Sequence, residues 1–251
     1  DEISLINNFK LKNLFPKIKN EILLKNNQLE FSFEPKKFSI KGGGKILVQD
    51  QDDEITYNID HKNKILNFKT ALTINDNPFE IDFLNYRKIP KQKLLLNLQG
   101  QKKENNQILI NLFSLNEKKN KIEINDLIFN DQMKIKDIKR VNLKFIDKEN
   151  QKNSANLYKK NGKFHLDGSI LNVNNLIDRL LKNDKDQSNI VNINNSFIIN
   201  IDKILLDNEH DLKNFSGFVN IKNQQIEKAE LSGNFSNKEK FKFTVNTNKN
   251  E

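Results

Sequence analysis

Cysteine is absent from these 251 residues. That excludes disulfides and zinc–thiolate centres, and leaves the redox compartment open, since a periplasmic chain need not carry any. Tryptophan is also absent, and methionine occurs once, at Met133. No apolar run approaches the roughly 20 residues that a membrane-spanning helix needs, and no signal peptide is visible. The first residue is Asp1 and not Met, so the chain is expected to be a fragment or a processed product, and any membrane anchor of the natural protein is expected outside this segment. Glycine is scarce, at 8. Five of those glycines follow one pattern, apolar-x-Gly, at Gly42, Gly100, Gly168, Gly217 and Gly233. Glycine inside a strand marks a bulge, a bend or a close backbone approach.

What the chain has instead is phenylalanine, 18 of them, and an excess of Asn, Lys and Ile of the kind an AT-rich genome produces. Hydrophobic residues make up only 36% and charged residues 30%. The hydrophobic ones are concentrated in alternating runs, which argues against disorder. The net charge is +9, but the 42 basic residues are mixed with 33 acidic ones. Nucleic-acid binding would pair a basic stripe with exposed aromatics. Here the phenylalanines sit on the apolar side of their runs and the lysines are spread widely. No nucleic-acid partner is expected.

Period-two alternation begins at Leu29, Phe31 and Phe33, and Pro35 closes that run. Phe38 and Ile40 follow, then a break at Gly42-Gly43-Gly44, then Ile46 and Val48. Further runs include Ile55–Ile59, Phe79–Phe83, Leu94–Leu98, Ile108–Leu112, Val141–Phe145, Phe197–Ile201, Ala229–Phe235 and Phe241–Val245. Spacings of 8–12 residues or so read as an all-β, mainly antiparallel meander. Two helices are expected. Pro16 starts a short one near 16–25, with Ile18, Ile22 and Leu23 on one face. Asn172 caps an amphipathic one near 173–182, with Val173, Leu176, Ile177, Leu180 and Leu181 as its stripe. The expected order is a lead-in over 1–28, β structure over 29–171, a helix over 172–183 and β structure over 190–247. Most runs are apolar on one face and polar on the other. Two sheets packed face to face explain this, and so does one curled sheet with an open apolar face.

The constellations that carry chemistry elsewhere are weak here. Gly42-Gly43-Gly44-Lys45 lacks the phosphate-loop spacing and precedes a strand, so it reads as a glycine bulge. His165 and Asp167 share a polar strand face, with nothing beside them to complete a metal or acid–base site. Asp50, Asp52, Asp53 and Glu54 read as a solvated turn and not as a calcium loop. Asn194, Asn214 and Asn234 begin N-x-S triplets that matter only in a eukaryotic secreted protein. No catalytic residue, metal site or cofactor is expected, and an enzyme is the least favoured class.

Three stretches resemble the AsmA-like family of bacterial envelope proteins. Leu14-Phe15-Pro16 with residues 17–27 looks like the proline-started lead into that family's β region. Residues 164–181, FHLDGSILNVNNLIDRLL, look like its strand–glycine–helix element. Residues 197–235 look like its strand, loop, apolar-x-Gly, strand pattern. The resemblance implies a taco-shaped β groove, anchored in the inner membrane and crossing the periplasm, along which phospholipids move to support outer-membrane homeostasis. It implies phospholipid acyl chains as ligands, inner- and outer-membrane proteins as partners, and no catalytic motif. The groove candidates are Phe31, Phe33, Leu96, Leu98, Leu143, Phe145, Phe197, Ile199 and Phe243. Burying a methylene is worth about 0.8 kcal/mol, so a chain of about 16 carbons gains roughly 12 kcal/mol gross with no headgroup site. The alternative is a closed, ligand-free β module that serves envelope assembly.

Overall fold

The turns explain how so few glycines serve so many strands. In the computed structural model, residues 2–4, 11–175, 194–207, 209–222 and 225–247 are described. Asn and Lys fill nearly all the left-handed backbone positions, a conformation that Asn tolerates better than most residues. Asn63-Lys64 and Asn161-Gly162 each place two successive residues at positive φ, the twist that joins two antiparallel strands with least splay. Four wider hairpins share one geometry. In Lys103–Gln107, Asn130–Lys134, Asp147–Gln151 and Phe235–Glu239, the first residue's N–H donates to the fifth residue's carbonyl. The fourth residue (Asn106, Met133, Asn150 or Lys238) is left-handed. The Asn130 and Asp147 side chains each accept two backbone N–H bonds inside their turns, which fixes the loop from within.

These turns connect β1 (Glu2–Ser4), β2 (Glu21–Glu34), β3 (Lys37–Leu47), β4 (Asp52–Lys62) and β5 (Ile65–Ile74). A short pair follows, β6 (Glu80–Ile81) and β7 (Tyr86–Arg87), then β8 (Leu94–Lys102), β9 (Ile108–Glu117) and β10 (Asn120–Phe129). The chain continues through β11 (Ile135–Ile146), β12 (Lys152–Lys160), β13 (Lys163–Asn172), β14 (Asn195–Leu205), β15 (Asp211–Lys222), β16 (Gln225–Phe235) and β17 (Lys240–Asn246). All but β6 and β7 belong to one large, mostly antiparallel sheet that does not close. Contacts group the chain into two units, Asp1–Glu123 and Ile124–Glu251, with the boundary inside β10.

In the first unit, β2 to β5, β8 and β9 pair with their sequence neighbours in the sheet. The segment between β5 and β8 leaves the sheet and folds over the strand ends. Phe79, Ile81 and Tyr86 are buried there, as are the strand-end residues Val48, Ile74, Leu94 and Leu115. Phe15 meets Phe79 edge-to-face, with centroids 5.3 Å apart. In the second unit β13 and β14 run parallel, with Phe164 stacked on Phe197 at 5.2 Å. A parallel pair needs a long connection, and the sequence between Asn172 and Asn195 is long enough for one.

Three expectations are corrected. Residues 16–25 are not a helix. A 3-10 turn spans Leu11–Asn13, Lys17 N–H donates to Gln49 Oε1, and Lys19 N–H donates to the Val48 carbonyl. From Glu21 onward the segment is β2, with Leu23 against Leu47 and Leu24 against Ile46, so β structure begins before residue 29. Bonding to distant strands of the same chain overrides the helical spacing there. The glycines at 42–44 do not break the strand, because β3 runs through them. Phe79–Phe83 is not a strand: it gives only two residues to β6, then a 3-10 turn at Asp82–Leu84, and Phe83 is exposed. At the second expected helix, Asn174 and Asn175 are helical and Asn174 N–H donates to Asn172 Oδ1 at 3.1 Å, as a cap would require. Residues 176–193 lie outside the described residues, so no complete helix is described.

Candidate functional site

Strand register decides which side chains share a face. In the first unit, Phe31 is opposite Ile40, Ile40 opposite Ile59, and Ile59 opposite Phe68. Further along the strands, Leu72 is opposite Leu96 and Leu96 opposite Leu115, while Thr70 is opposite Leu98 and Leu98 opposite Phe113. Phe31, Phe33, Leu96 and Leu98 therefore lie on one apolar face. The opposite face carries Lys41, Asn58 and Lys69 in a row. In the second unit, Leu143 is opposite Ala155, Leu166 is beside Ile199, Ile199 opposite Gly217, Gly217 opposite Leu231, and Leu231 opposite Phe243. Leu143, Phe145, Phe197, Ile199 and Phe243 share that unit's apolar face. The register thus gathers the nine groove candidates onto one apolar face in each unit.

Their exposure varies along the strands. Leu96 and Phe145 are buried. Leu98, Leu143, Phe197 and Ile199 are half-buried. Phe31, Phe33 and Phe243 are 60%, 70% and 40% exposed. Among the described residues the only other sheet is the two-stranded β6–β7 pair.

The patterned glycines sit on this same face and let the backbones close up. A Cβ on Gly42 would lie 2.6 Å from Tyr57 Oη, and one on Gly168 would lie 2.6 Å from the Ser154 carbonyl. Gly100 and Gly168 both sit at register shifts, between Gln99 and Gly100 and opposite Ser154/Ala155. The bulge reading of these glycines holds.

The polar constellations fall on other surfaces. His165 stacks on Tyr158, with centroids 5.3 Å apart, and Tyr158 Oη donates to Asp167 Oδ2 at 2.6 Å. That bond holds the Tyr158 hydroxyl proton above its usual range. The three side chains complete one another as a polar-face cluster. No group of three or more potential metal ligands occurs among the described residues. His61 packs on Phe38, on the apolar face, and His210 pairs with Asp207 in an exposed turn. A recess of about 720 Å³ is lined by residues that include Lys25, Lys45, Asp52, Asp76 and Lys93. Its charges are of both signs, and Lys25 is 2.8 Å from Asp52.

Lys17 and Lys25 hold the Asp50 and Asp52 carboxyls below the ordinary range; Asp52 and Glu54 lie in β4, so only Asp50 bears out the solvated-turn reading. Asp53 does not, and this is a correction. It is 1% exposed and accepts from Asn77 Nδ2 at 2.8 Å and Asn75 N–H at 3.1 Å. It belongs to a buried polar network under the 75–93 segment that sequence reasoning missed. There Glu117 accepts from Tyr86 Oη at 2.8 Å, Ile89 N–H at 2.7 Å and Asn120 Nδ2 at 3.0 Å. Lys88 Nζ donates to the Asn75 carbonyl at 2.6 Å. Burial pushes Tyr86 up, and the Glu117 charge adds to this; burial pushes Lys88 down against the pull of Glu117, Asp76 and Asp53. Each polar group in this network serves another, as a buried structural cluster must.

The fold defines an all-β protein built on one large, mostly antiparallel sheet that does not close, with an apolar face in each unit. No protein-family model, curated protein or solved structure matches the chain.

Proposed function

We propose that this chain is a periplasmic segment of an AsmA-like lipid-transport protein. On this reading it belongs to an inner-membrane-anchored protein, and its sheet curls into a groove that carries phospholipid acyl chains toward the outer membrane. The observation that supports it is the apolar face that the register builds in each unit, with Phe31, Phe33 and Phe243 exposed and Leu98, Leu143, Phe197 and Ile199 half-buried. Exposed apolar surface of this extent is a binding surface more often than not. A face lined by aliphatic and phenyl groups holds an acyl chain through area alone and lets it slide. The glycines on that face let neighbouring strands approach and bend. The sandwich alternative packs two large sheets face to face, and among the described residues the only sheet besides the large one is the two-stranded β6–β7 pair.

The test is mass spectrometry of the purified chain for bound phospholipid, with photo-crosslinkers placed in turn at Phe31, Leu98, Leu143 and Phe197. Bound phospholipid and acyl-chain adducts at these positions are the expected result. Adducts confined to polar-face controls such as Asn58 and Lys144, with no lipid carried, would refute the reading.

A further inference from the structure

Three hairpin turns of the first unit, β2–β3, β4–β5 and β8–β9, lie at the same ends of their strands. Lys37 is opposite Lys62, Lys62 opposite Ile65, and Leu66 opposite Lys102. Each turn brings two lysines: Lys36 and Lys37, Lys62 and Lys64, Lys102 and Lys103, all exposed. Two glutamates accompany them, with Glu34 at 3.3 Å from Lys37 and Glu104 at 2.6 Å from Lys64. Lys36, Lys62, Lys102 and Lys103 form no ion pair among the described residues. Like charges directly opposite in a ladder repel, so the Lys37–Lys62 pair favours an anion beside it. The charge also reaches the apolar face. Register partners share a face, and Phe38 is opposite His61, His61 opposite Leu66 and Leu66 opposite Lys102. This is the row of the apolar face nearest the turns. From Leu66 to Leu72 the strand advances about 20 Å, and the hydrocarbon of one bilayer leaflet is about 15 Å thick. The other end of the face is closed, since Ile74 and Leu94 are buried where residues 75–93 fold over the strands. An acyl chain fits along these strands with its polar end at the lysines and not at the cover.

We infer that this lysine rim holds the headgroup of an anionic phospholipid, its phosphate drawn to Lys102 and the turn lysines beside it, while the acyl chains run along the strands from Leu66 toward Leu72. The inference rests on the acyl-chain reading above and adds a headgroup class to it. A head with one net negative charge, such as phosphatidylglycerol, is preferred over a zwitterion, whose own cation competes with the lysines for the phosphate. Lysine suits a head that moves, because a compact ammonium on a flexible stem imposes no fixed geometry on the phosphate. Successive hairpins lie about 10 Å apart, two strand spacings, so a head that slides across the strands meets positive charge again at each turn.

The test titrates dioctanoyl phosphatidylglycerol and dioctanoyl phosphatidylcholine, each below its micelle concentration, into the purified chain and follows binding by calorimetry. At low salt phosphatidylglycerol should bind at least about fivefold more tightly, the scale of one basic residue near an anionic lipid. Lys62→Gln, Lys64→Gln, Lys102→Gln and Lys103→Gln together should erase that preference and leave phosphatidylcholine binding unchanged. Lys91→Gln, Lys93→Gln, Lys118→Gln and Lys119→Gln remove the same charge at the opposite ends of β8 and β9 and should keep the preference. All eight lysines are exposed, so circular dichroism of both variants should match the parent chain. Equal affinity of the parent chain for the two lipids, or a preference that falls equally in both variants, would overturn the inference and leave the acyl-chain reading standing. Displacement of phosphatidylglycerol by glycerol 3-phosphate at equal concentration would also overturn it, by showing a site for a free anion. Binding of neither lipid would overturn both readings.

Discussion

A buried carboxylate is costly unless donors surround it, and Asp53 shows the balance at a single residue. Burial raises its pKa above 3.8, while the Asn77 and Asn75 donors and the Lys88 charge oppose the rise. Between the unfolded value and the raised folded value, the folded state holds more proton than the unfolded chain. This group's contribution to stability therefore falls as pH rises from about 3.8 through the folded value. Asp53→Asn should remove that slope. It should also cost about 1–3 kcal/mol, because an amide nitrogen would face the donors that the carboxylate now satisfies. Urea unfolding of both proteins between about pH 3 and pH 7 measures both effects. Asp53 reads in sequence as one more acid in a run of four. Nothing in the run separates it from Asp50 and Asp52, since its burial comes from Asn75 and Asn77, beyond a whole hairpin.

At the scale of the element, the strands are what the sequence carries best. Period-two alternation is a property of a few adjacent residues, and it survives in almost every run from Leu29 to Val245. What it misses is continuity. Gly42-Gly43-Gly44 reads as a break, yet it lies within one strand. Ladder bonds from both sides carry β3 through its glycines. Glycine also has a stricter role at Gly217, where φ is +148° and a Cβ would collide with the Glu230 carbonyl. Gly217→Ala should lose about 1–3 kcal/mol, because only glycine adopts that backbone conformation readily. Chemical denaturation tests it. A loss below half a kcal/mol would show that β15 and β16 can relax around the new methyl.

At the scale of the whole molecule, the first unit hides apolar residues without a second sheet by folding residues 75–93 over its strand ends. Ile74 and Leu94 are register partners, so a two-residue Asn-Gly turn can replace the segment and leave the ladder joined. The shortened chain should keep amide protection in β5 and β8. It should bind a hydrophobic dye and lose on the order of 5 kcal/mol, the scale of burying Phe79, Ile81 and Tyr86. Hydrogen exchange and dye fluorescence check this directly. Loss of protection across β5 and β8 would make the segment a condition of the sheet and not only its cover. The parallel β13–β14 pair belongs to this scale too. The expected helix marks the place where the chain leaves the sheet, but not the direction in which it returns.

The sequence by itself determined that this is an all-β chain, where most of its strands and turns lie, and which side chains share a face. Those follow from local alternation and from Asn and Lys tolerating tight turns. Only the tertiary structure decided that Pro16 leads into a strand, that β13 and β14 run parallel, and that Asp53 and Glu117 are buried. Each of these depends on which distant segment arrives beside a residue, and no neighbour in the chain carries that information.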